Sequence, residues 1–253
     1  MSTSTAPTVA DPRLPRDAVA KGRWRLQKPP EIAATFTGLC RMHPEARCEL
    51  DHASPFQLLC ATVLSAQTTD VAVNKATPGL FRRFPDARAL SAAAPQDVEA
   101  LVHTLGFFRQ KTRSLLGIAQ ALVERHGGSV PHTLAELVRL PGVGRKTANV
   151  VLGVAFHAPE GVVVDTHVQR IAQRLGWTRA KEPVKIELDL CDRLPRADWD
   201  LASHVLIFHG RRVCLAVRPR CAECAVNGLC PSAFRAETIG RKPGRARRSR
   251  ASE

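Results

Sequence analysis

Four cysteines stand close together near one end of the 253-residue sequence, in the order Cys214-x6-Cys221-x2-Cys224-x5-Cys230. Thiolates packed this densely in one segment converge on one centre, either an iron-sulfur cluster or a zinc ion. A pair of disulfides is the competing use of four cysteines, but nothing else in the sequence indicates an oxidising compartment. The spacing favours a 4Fe-4S cluster over zinc. Four-cysteine zinc sites usually pair two short C-x2-4-C knuckles, whereas here a single C-x2-C is flanked by gaps of six and five. The other cysteines, Cys40, Cys48, Cys60 and Cys191, are scattered singly and read as small buried thiols rather than ligands.

A second constellation lies in Glu136-Leu-Val-Arg-Leu-Pro-Gly-Val-Gly-Arg-Lys-Thr-Ala148, which reads as a helix, a tight turn on Pro141-Gly142-Val143-Gly144 and a second helix. Glycines there permit the positive φ of a sharp turn and leave the amides at the second helix's N-terminus open to a phosphate oxygen. The pattern is a helix-hairpin-helix. Lys146 falls in the first turn of the second helix, where the positive end of the helix dipole disfavours an ammonium. Partial burial would act in the same sense, leaving more neutral amine, which is a nucleophile toward carbon.

The acidic partner is Asp165, in Val162-Val-Val-Asp-Thr-His167-Val-Gln-Arg170. Its plain role is a helix N-cap. The segment between it and the hairpin is long enough to double back and bring it near Lys146. An amine beside a carboxylate suits attack at a glycosidic carbon: the carboxylate stabilises cationic charge on the sugar while the amine captures C1'.

These residues need elements to hold them. Helical patterns are separated by short Pro/Gly punctuation at Ser54-Pro55, Pro78-Gly79, Phe84-Pro85, Gly127-Gly128, Pro141-Gly142, Pro159-Glu160-Gly161 and Pro195. Val98, Leu101, Val102 and Leu105 form an i, i+3, i+4, i+7 face behind Pro95, which predicts a helix starting there. Strand-type alternation is nearly absent, and Val162-Val163-Val164 is too short and isolated to imply a sheet. The fold class expected is all-α, built of many short helices. Residues 1–29 and 234–253 read as tails, the first rich in Pro, Ser, Thr and Ala, the second basic and expected to be disordered like it.

The formal net charge of +14 and a pI near 10.2 point to a polyanionic partner, with nucleic acid the leading candidate. The sequence begins without the apolar region of a secretory signal and has no run of about 18 apolar residues, so the expectation is an intracellular protein.

Taken together, the segment Leu64-Ser-Ala-Gln-Thr-Thr-Asp70-Val-Ala-Val-Asn-Lys-Ala76, the hairpin Leu140 to Leu152, Val164-Asp-Thr-His167 and the four-cysteine spacing resemble the endonuclease III family of helix-hairpin-helix DNA glycosylases. The resemblance runs from about Glu31 to Pro231. It implies two lobes with a DNA groove between them: a six-helix lobe over 48–158 with the hairpin at 134–157, and an iron-sulfur cluster lobe over 30–47 and 159–233. It also implies a bifunctional DNA glycosylase and abasic-site lyase of base excision repair that removes oxidised pyrimidines, then cleaves the strand by β-elimination through a Lys146 Schiff base. Lys146 and Asp165 would be catalytic, and Cys214, Cys221, Cys224 and Cys230 would hold the 4Fe-4S cluster. Gln67, Phe107, Gly142, Gly144, Arg145 and His167 would contact DNA, with Gln67 filling the space left by an extruded nucleotide and Phe107 intercalating. Asp70 would support the site by hydrogen bonding. The partner implied is double-stranded DNA with damaged pyrimidines or abasic sites, met by a monomer in a bacterial cytoplasm at the nucleoid, with no membrane.

Family members often carry Leu-Tyr where this chain has Phe107-Phe108, which bears on strand and opposite-base preference rather than on the reaction. A mismatch-adenine DNA glycosylase is the nearest alternative. Those proteins typically lack a Lys at position 146, carry a catalytic Glu before the Gln wedge and append a large C-terminal domain; here the stretch Phe56 to Gln67 has no acid. A non-catalytic DNA-binding module is the alternative of another class, and the presence of both Lys146 and Asp165 argues against it.

Overall fold

The structure, a computed structural model, describes residues 14–16 and 24–239. Most of the expected tails, residues 1–13, 17–23 and 240–253, lies outside the described residues. In chain order the helices are α1 (Pro29–Met42), α2 (Pro55–Leu64), α3 (Asp70–Arg83), α4 (Ala87–Ser91), α5 (Pro95–Val102), α6 (Phe108–His126), α7 (Leu134–Leu137), α8 (Arg145–Phe156), α9 (Thr166–Arg174), α10 (Pro183–Arg193) and α11 (Trp199–Arg212). No strand occurs among the described residues, and none of their helices is long and apolar enough to cross a membrane.

The chain divides into two compact units. One comprises Ala46–Val163 and Leu194–His204 and carries the hairpin; the other comprises Met1–Glu45, Val164–Arg193 and Val205–Glu253 and carries the four cysteines.

Helix starts in the hairpin unit follow the sequence closely. Ser54, Thr69, Asp86 and Thr133 each accept a first-turn N–H through a side-chain oxygen, from Gln57, Ala72, Ala89 and Glu136 respectively. Pro55 and Pro95 open α2 and α5, where the missing N–H costs nothing. Helix α2 is apolar on every side, and Phe56, Leu58, Leu59, Cys60, Ala61, Val63 and Leu64 are all buried, so it forms the centre of the core. Helix α5 buries Val98 and Val102, with Leu105 beyond it, as the periodicity predicts. Helix α6 presents Leu115, Ile118 and Leu122 to the same core and ends at Gly127, whose left-handed conformation lets Gly128 N–H return to Leu122 O.

One punctuation mark misled. Pro78-Gly79 reads as a break, yet both residues lie inside α3. The side-chain cap at Thr69 and the buried face of Val73, Thr77 and Leu80 carry the helix through the proline. Gly79 sits where an added Cβ would lie 3.4 Å from Leu101 Cδ2, so the small residue suits the close packing of α3 on α5.

In the cysteine unit the core is built around Trp177, fully buried and edge-on to Phe36 of α1 with ring centroids 6.5 Å apart. Its indole N–H donates to Gln27 Oε1 at 2.8 Å, and the same buried amide donates through Nε2 to Leu229 O at 2.8 Å. Gln27 thus belongs to this core although the composition read residues 24–28 as part of a tail. Gly38 of α1 lies so close to the cysteine segment that a Cβ there would stand 2.6 Å from Val226 Cγ1.

Trp177→Phe keeps an aromatic ring at this place but removes one of two donors to Gln27 Oε1, the other being the Thr35 hydroxyl at 3.2 Å. The expected loss of unfolding stability is about 0.5–1.5 kcal/mol, the net contribution of one hydrogen bond. Denaturant titration followed by circular dichroism measures it.

Candidate functional site

The hairpin turn is shaped from below by α6. Gly142 has φ +74, and a Cβ on it would lie 2.8 Å from Ser114 Oγ and 3.0 Å from Ser114 Cβ. One turn further along, a Cβ on Gly117 would stand 3.2 Å from the Pro141 ring. Position 142 therefore needs glycine twice, for its backbone conformation and for its contact. Gly144 is different: its φ is −91° and a Cβ on it would meet nothing within 4 Å. It is the N-cap of α8 and supplies no side-chain cap to this twelve-residue helix. Arg145 and Lys146 follow directly, both exposed. Burial, expected to favour the neutral amine of Lys146, is absent. The hairpin's first helix is also shorter than the sequence suggests, since α7 spans only Leu134–Leu137.

In the same unit, Gln67 and Phe107 share an unusual feature. Both are non-glycine residues in the left-handed region, with φ of 54° and 58°. Gln67 is exposed in the turn before α3, and Phe107 is 69 % exposed at the start of α6. An aromatic held in strained backbone with its ring in solvent does not serve a core.

In the cysteine unit, Asp165 is the N-cap of α9. Its Oδ1 accepts from the N–H groups of both His167 and Val168 at 2.8 Å. Both bonds fall on one carboxylate oxygen. His167 is half-buried, with Nδ1 3.3 Å from Arg170 Nη2. Burial pulls its imidazole below the ordinary range, against the carboxylate of Asp165, which pushes the other way. A Cβ on Gly210 of α11 would lie 3.0 Å from His167 Cβ and 3.1 Å from Arg170 Nη2, so His167 is packed between helices rather than held out.

All four cysteines of the C-terminal segment line one cavity, with Arg174, Leu175, His209 and Asn227 among the other walls. Among the described residues no group of three or more His, Cys, Asp or Glu side chains is arranged to hold a metal ion. Burial pushes the thiol of Cys224 up to about 12 and raises those of Cys221 and Cys230 as well. Left to themselves these three sulfurs are neutral thiols.

The residues around them argue for a negative charge in that cavity. Arg174 is 1 % exposed. Its guanidinium donates to the carbonyl oxygens of Leu215 at 2.7 Å, Ile239 at 2.9 Å and Ala216 at 3.1 Å, and to Cys214 Sγ at 3.3 Å. Arg170, also buried, donates to Gly210 O at 2.7 Å and Cys214 O at 3.2 Å. Neither guanidinium forms an ion pair with a carboxylate among the described residues. Asp165 offers Arg170 some opposite charge from the start of the same helix, but two buried cations remain costly, and metal-bound thiolates would supply further negative charge whereas two disulfides would not. The donor set therefore fits a thiolate-bound metal group.

The six residues Gln67, Phe107, Gly142, Gly144, Arg145 and Lys146 belong to one unit; Asp165, His167 and the four cysteines belong to the other. Sequence reasoning did not single out Arg170, Arg174 or Ser114. The two arginines lie i, i+4 apart between the apolar residues Val168, Ile171, Ala172 and Leu175, a placement that marks them as core-facing.

A glycine-set hairpin with an open helix start, in an all-helical chain with a four-cysteine segment, defines a class. The family described as the HhH-GPD superfamily of base excision DNA repair proteins matches residues 60–196. Endonuclease III of Synechocystis sp. is 52% identical over 195 residues, covering 77% of this chain and 89% of that protein. Endonuclease III of Escherichia coli K12 is 40% identical over 77% of this chain and 92% of its own length. Among solved structures, a trapped endonuclease III–DNA covalent intermediate superposes with a TM-score of 0.78 at 37% identity, covering 84% of this chain and 99% of that one. The chain belongs to the endonuclease III family.

Gly142→Ala should lower stability by about 1–3 kcal/mol, from the left-handed backbone and the Ser114 contact together. Adding Ser114→Gly should restore part of the loss, the part due to the contact. Thermal unfolding of the two variants separates these contributions.

Proposed function

We propose that this DNA glycosylase and abasic-site lyase of base excision repair removes oxidised pyrimidines from duplex DNA and cleaves the resulting abasic site by β-elimination through Lys146. The observation that carries the reading is the start of α8: its first-turn amides have no side-chain cap, and an exposed Lys146 stands in that same turn. Such a helix end binds a phosphate of the DNA backbone through its N–H groups, with Arg145 beside it as a further cation. DNA bound there brings a sugar within reach of the Lys146 amine. The similar endonuclease III caught in a covalent intermediate with DNA supports a covalent route.

The steps follow from the chemistry of the two side chains. As the bond from C1' to the damaged base breaks, the base leaves with the bonding electrons and takes up a proton. Cationic charge grows on the sugar, and the Asp165 carboxylate offsets it. The neutral Lys146 amine forms the new bond at C1' and loses a proton; opening of the sugar ring gives an imine. Loss of a C2' proton then expels the 3' phosphate, and hydrolysis of the imine returns the lysine. Asp165 spends Oδ1 on the cap of α9, which fixes the carboxylate and leaves its charge in place.

Gln67 and Phe107 serve as the wedges that replace the extruded nucleotide in the stack. Both stand on strained turns, exposed, as such a role requires. His167 supports the site as a packed neighbour of Arg170, and any contact it makes with DNA is secondary. The protein is read as a monomer acting on nucleoid DNA in the cytoplasm.

Cys214, Cys221, Cys224 and Cys230 would hold a 4Fe-4S cluster, which would supply structural order to their segment and negative charge to balance Arg170 and Arg174. A single C-x2-C flanked by gaps of six and five suits a four-iron cluster better than the paired short knuckles of a zinc site. Anaerobically purified protein should contain about four irons per chain and absorb broadly in the visible range. Metal analysis that finds zinc instead would overturn the cluster.

Lys146→Gln should abolish the borohydride-trapped adduct and β-elimination on abasic DNA while retaining binding, because the α8 amides and neighbouring cations remain. An adduct that survives moves the nucleophile to another amine. Asp165→Asn retains an oxygen for the α9 cap but removes the charge, so base excision should fall by about two to three orders of magnitude with little change in melting temperature. Single-turnover excision rates and thermal unfolding check it together.

A further inference from the structure

Helix α6 faces the core with a stripe at positions 111, 115, 118 and 122, and three of the four are Leu115, Ile118 and Leu122. The fourth is Lys111, a lysine only 5 % exposed where an apolar side chain would be expected. Its ammonium donates to Thr68 Oγ1 at 2.6 Å, and burial lowers its pKa from the ordinary lysine value. Its backbone N–H donates to Phe107 O at 3.1 Å. Thr68 in turn donates its N–H to Ser65 O at 3.0 Å and its hydroxyl to Ala66 O at 3.4 Å. Residues 65–68 are thus closed on themselves and tied to α6 through one hydroxyl. Gln67 and Phe107, both left-handed in backbone, lie on either side of this tie, one adjacent to Thr68 and one at the start of Lys111's own helix.

We propose that Lys111 is a positioning residue that couples the two wedges: its bond to Thr68 holds the Gln67 turn at a fixed distance from Phe107, so that both enter the DNA stack as one preorganised unit. The inference rests on the reading of Gln67 and Phe107 as wedges. Without the tie, each turn would have to be ordered at the moment of nucleotide extrusion, and the cost would fall on that step. A lysine suits the tie because its four-carbon stem lies along the apolar stripe while its head reaches the hydroxyl. Its work should show only when a stacked, paired base must be displaced.

The experiment uses the full-length protein, Thr68→Val, Lys111→Met and the double variant, with Gln67→Ala and Phe107→Ala as a reference pair. Each acts on two duplexes, one with thymine glycol opposite adenine and one with a preformed abasic site. Thr68→Val should lower kcat/KM for thymine glycol by about tenfold or more, the scale on which loosened positioning acts, while cleavage of the abasic duplex stays within about twofold. The double variant should lose no more than the worse single variant, since one bond is broken in all three. Fluorescence of 2-aminopurine beside the lesion should report slower extrusion in the same variants, with circular dichroism and melting temperature confirming the fold.

Equal losses on both duplexes, or additive losses in the double variant, mean that the bond only supports the fold and overturn the proposal. Unchanged thymine glycol excision in Thr68→Val does the same. The two readings separate through the reference pair: if Gln67→Ala and Phe107→Ala lose activity on thymine glycol more than on the abasic duplex but Thr68→Val does not, the wedges stand and the coupling falls. If the reference pair shows no such preference, the wedge reading itself falls.

Discussion

Two guanidinium groups buried beside four cysteines constrain the whole of the cysteine unit. Arg170 and Arg174 lie on α9 and satisfy their N–H groups on carbonyl oxygens of α11 and of the segment after it. A buried cation is tolerable only where charge and hydrogen bonds both answer it, and carbonyl oxygens answer only the second need. The cavity beside them is where negative charge belongs. Helix α9 is nine residues long, and the same helix carries Asp165 at its cap, His167 in its first turn and both arginines beyond. Ordering the cysteine segment and fixing the carboxylate are therefore one structural event, because a single short helix is anchored at both ends.

The starts of α8 and α9 are treated in opposite ways. Helix α9 has its first amides taken by Asp165 Oδ1, which immobilises the carboxylate. Helix α8 begins at a glycine with no side chain to cap it. A cap residue at 144 would stabilise α8 through its first-turn amides. The start of α9 thus gains the stabilisation of a side-chain cap and the start of α8 does not. Strain is distributed in the same manner: left-handed backbone at Gln67 and Phe107 is tolerated where turns project into solvent, within a unit whose core around α2 is uniformly apolar.

Much of this was legible in the residues. The cysteine spacing, the hairpin glycines and the Pro-led helix at Pro95 are local signals, each enforced by covalent geometry or by a side chain reaching its own backbone, so they survive without tertiary context. The same holds for Asp165 as a cap, which is a contact over two and three residues. Local rules failed where burial outweighed them. Pro78-Gly79 reads as a break but stays helical because Val73, Thr77 and Leu80 are buried around it.

What only the tertiary structure decided concerns distance and exposure. Lys146 stands in solvent rather than partly buried, since the hairpin turn it follows faces outward on α6. Lys111 and Thr68 are 43 residues apart, and nothing in either segment announces their bond. Arg170 and Arg174 stand among the apolar residues of α9, but it is α11 and the cysteine segment that close over them and supply the carbonyl oxygens they need. The sequence by itself determined which turns and helix caps form, because those depend on neighbours along the chain. Which charges are buried and which turns are tied together depends on packing between distant segments, and only the folded chain supplies it.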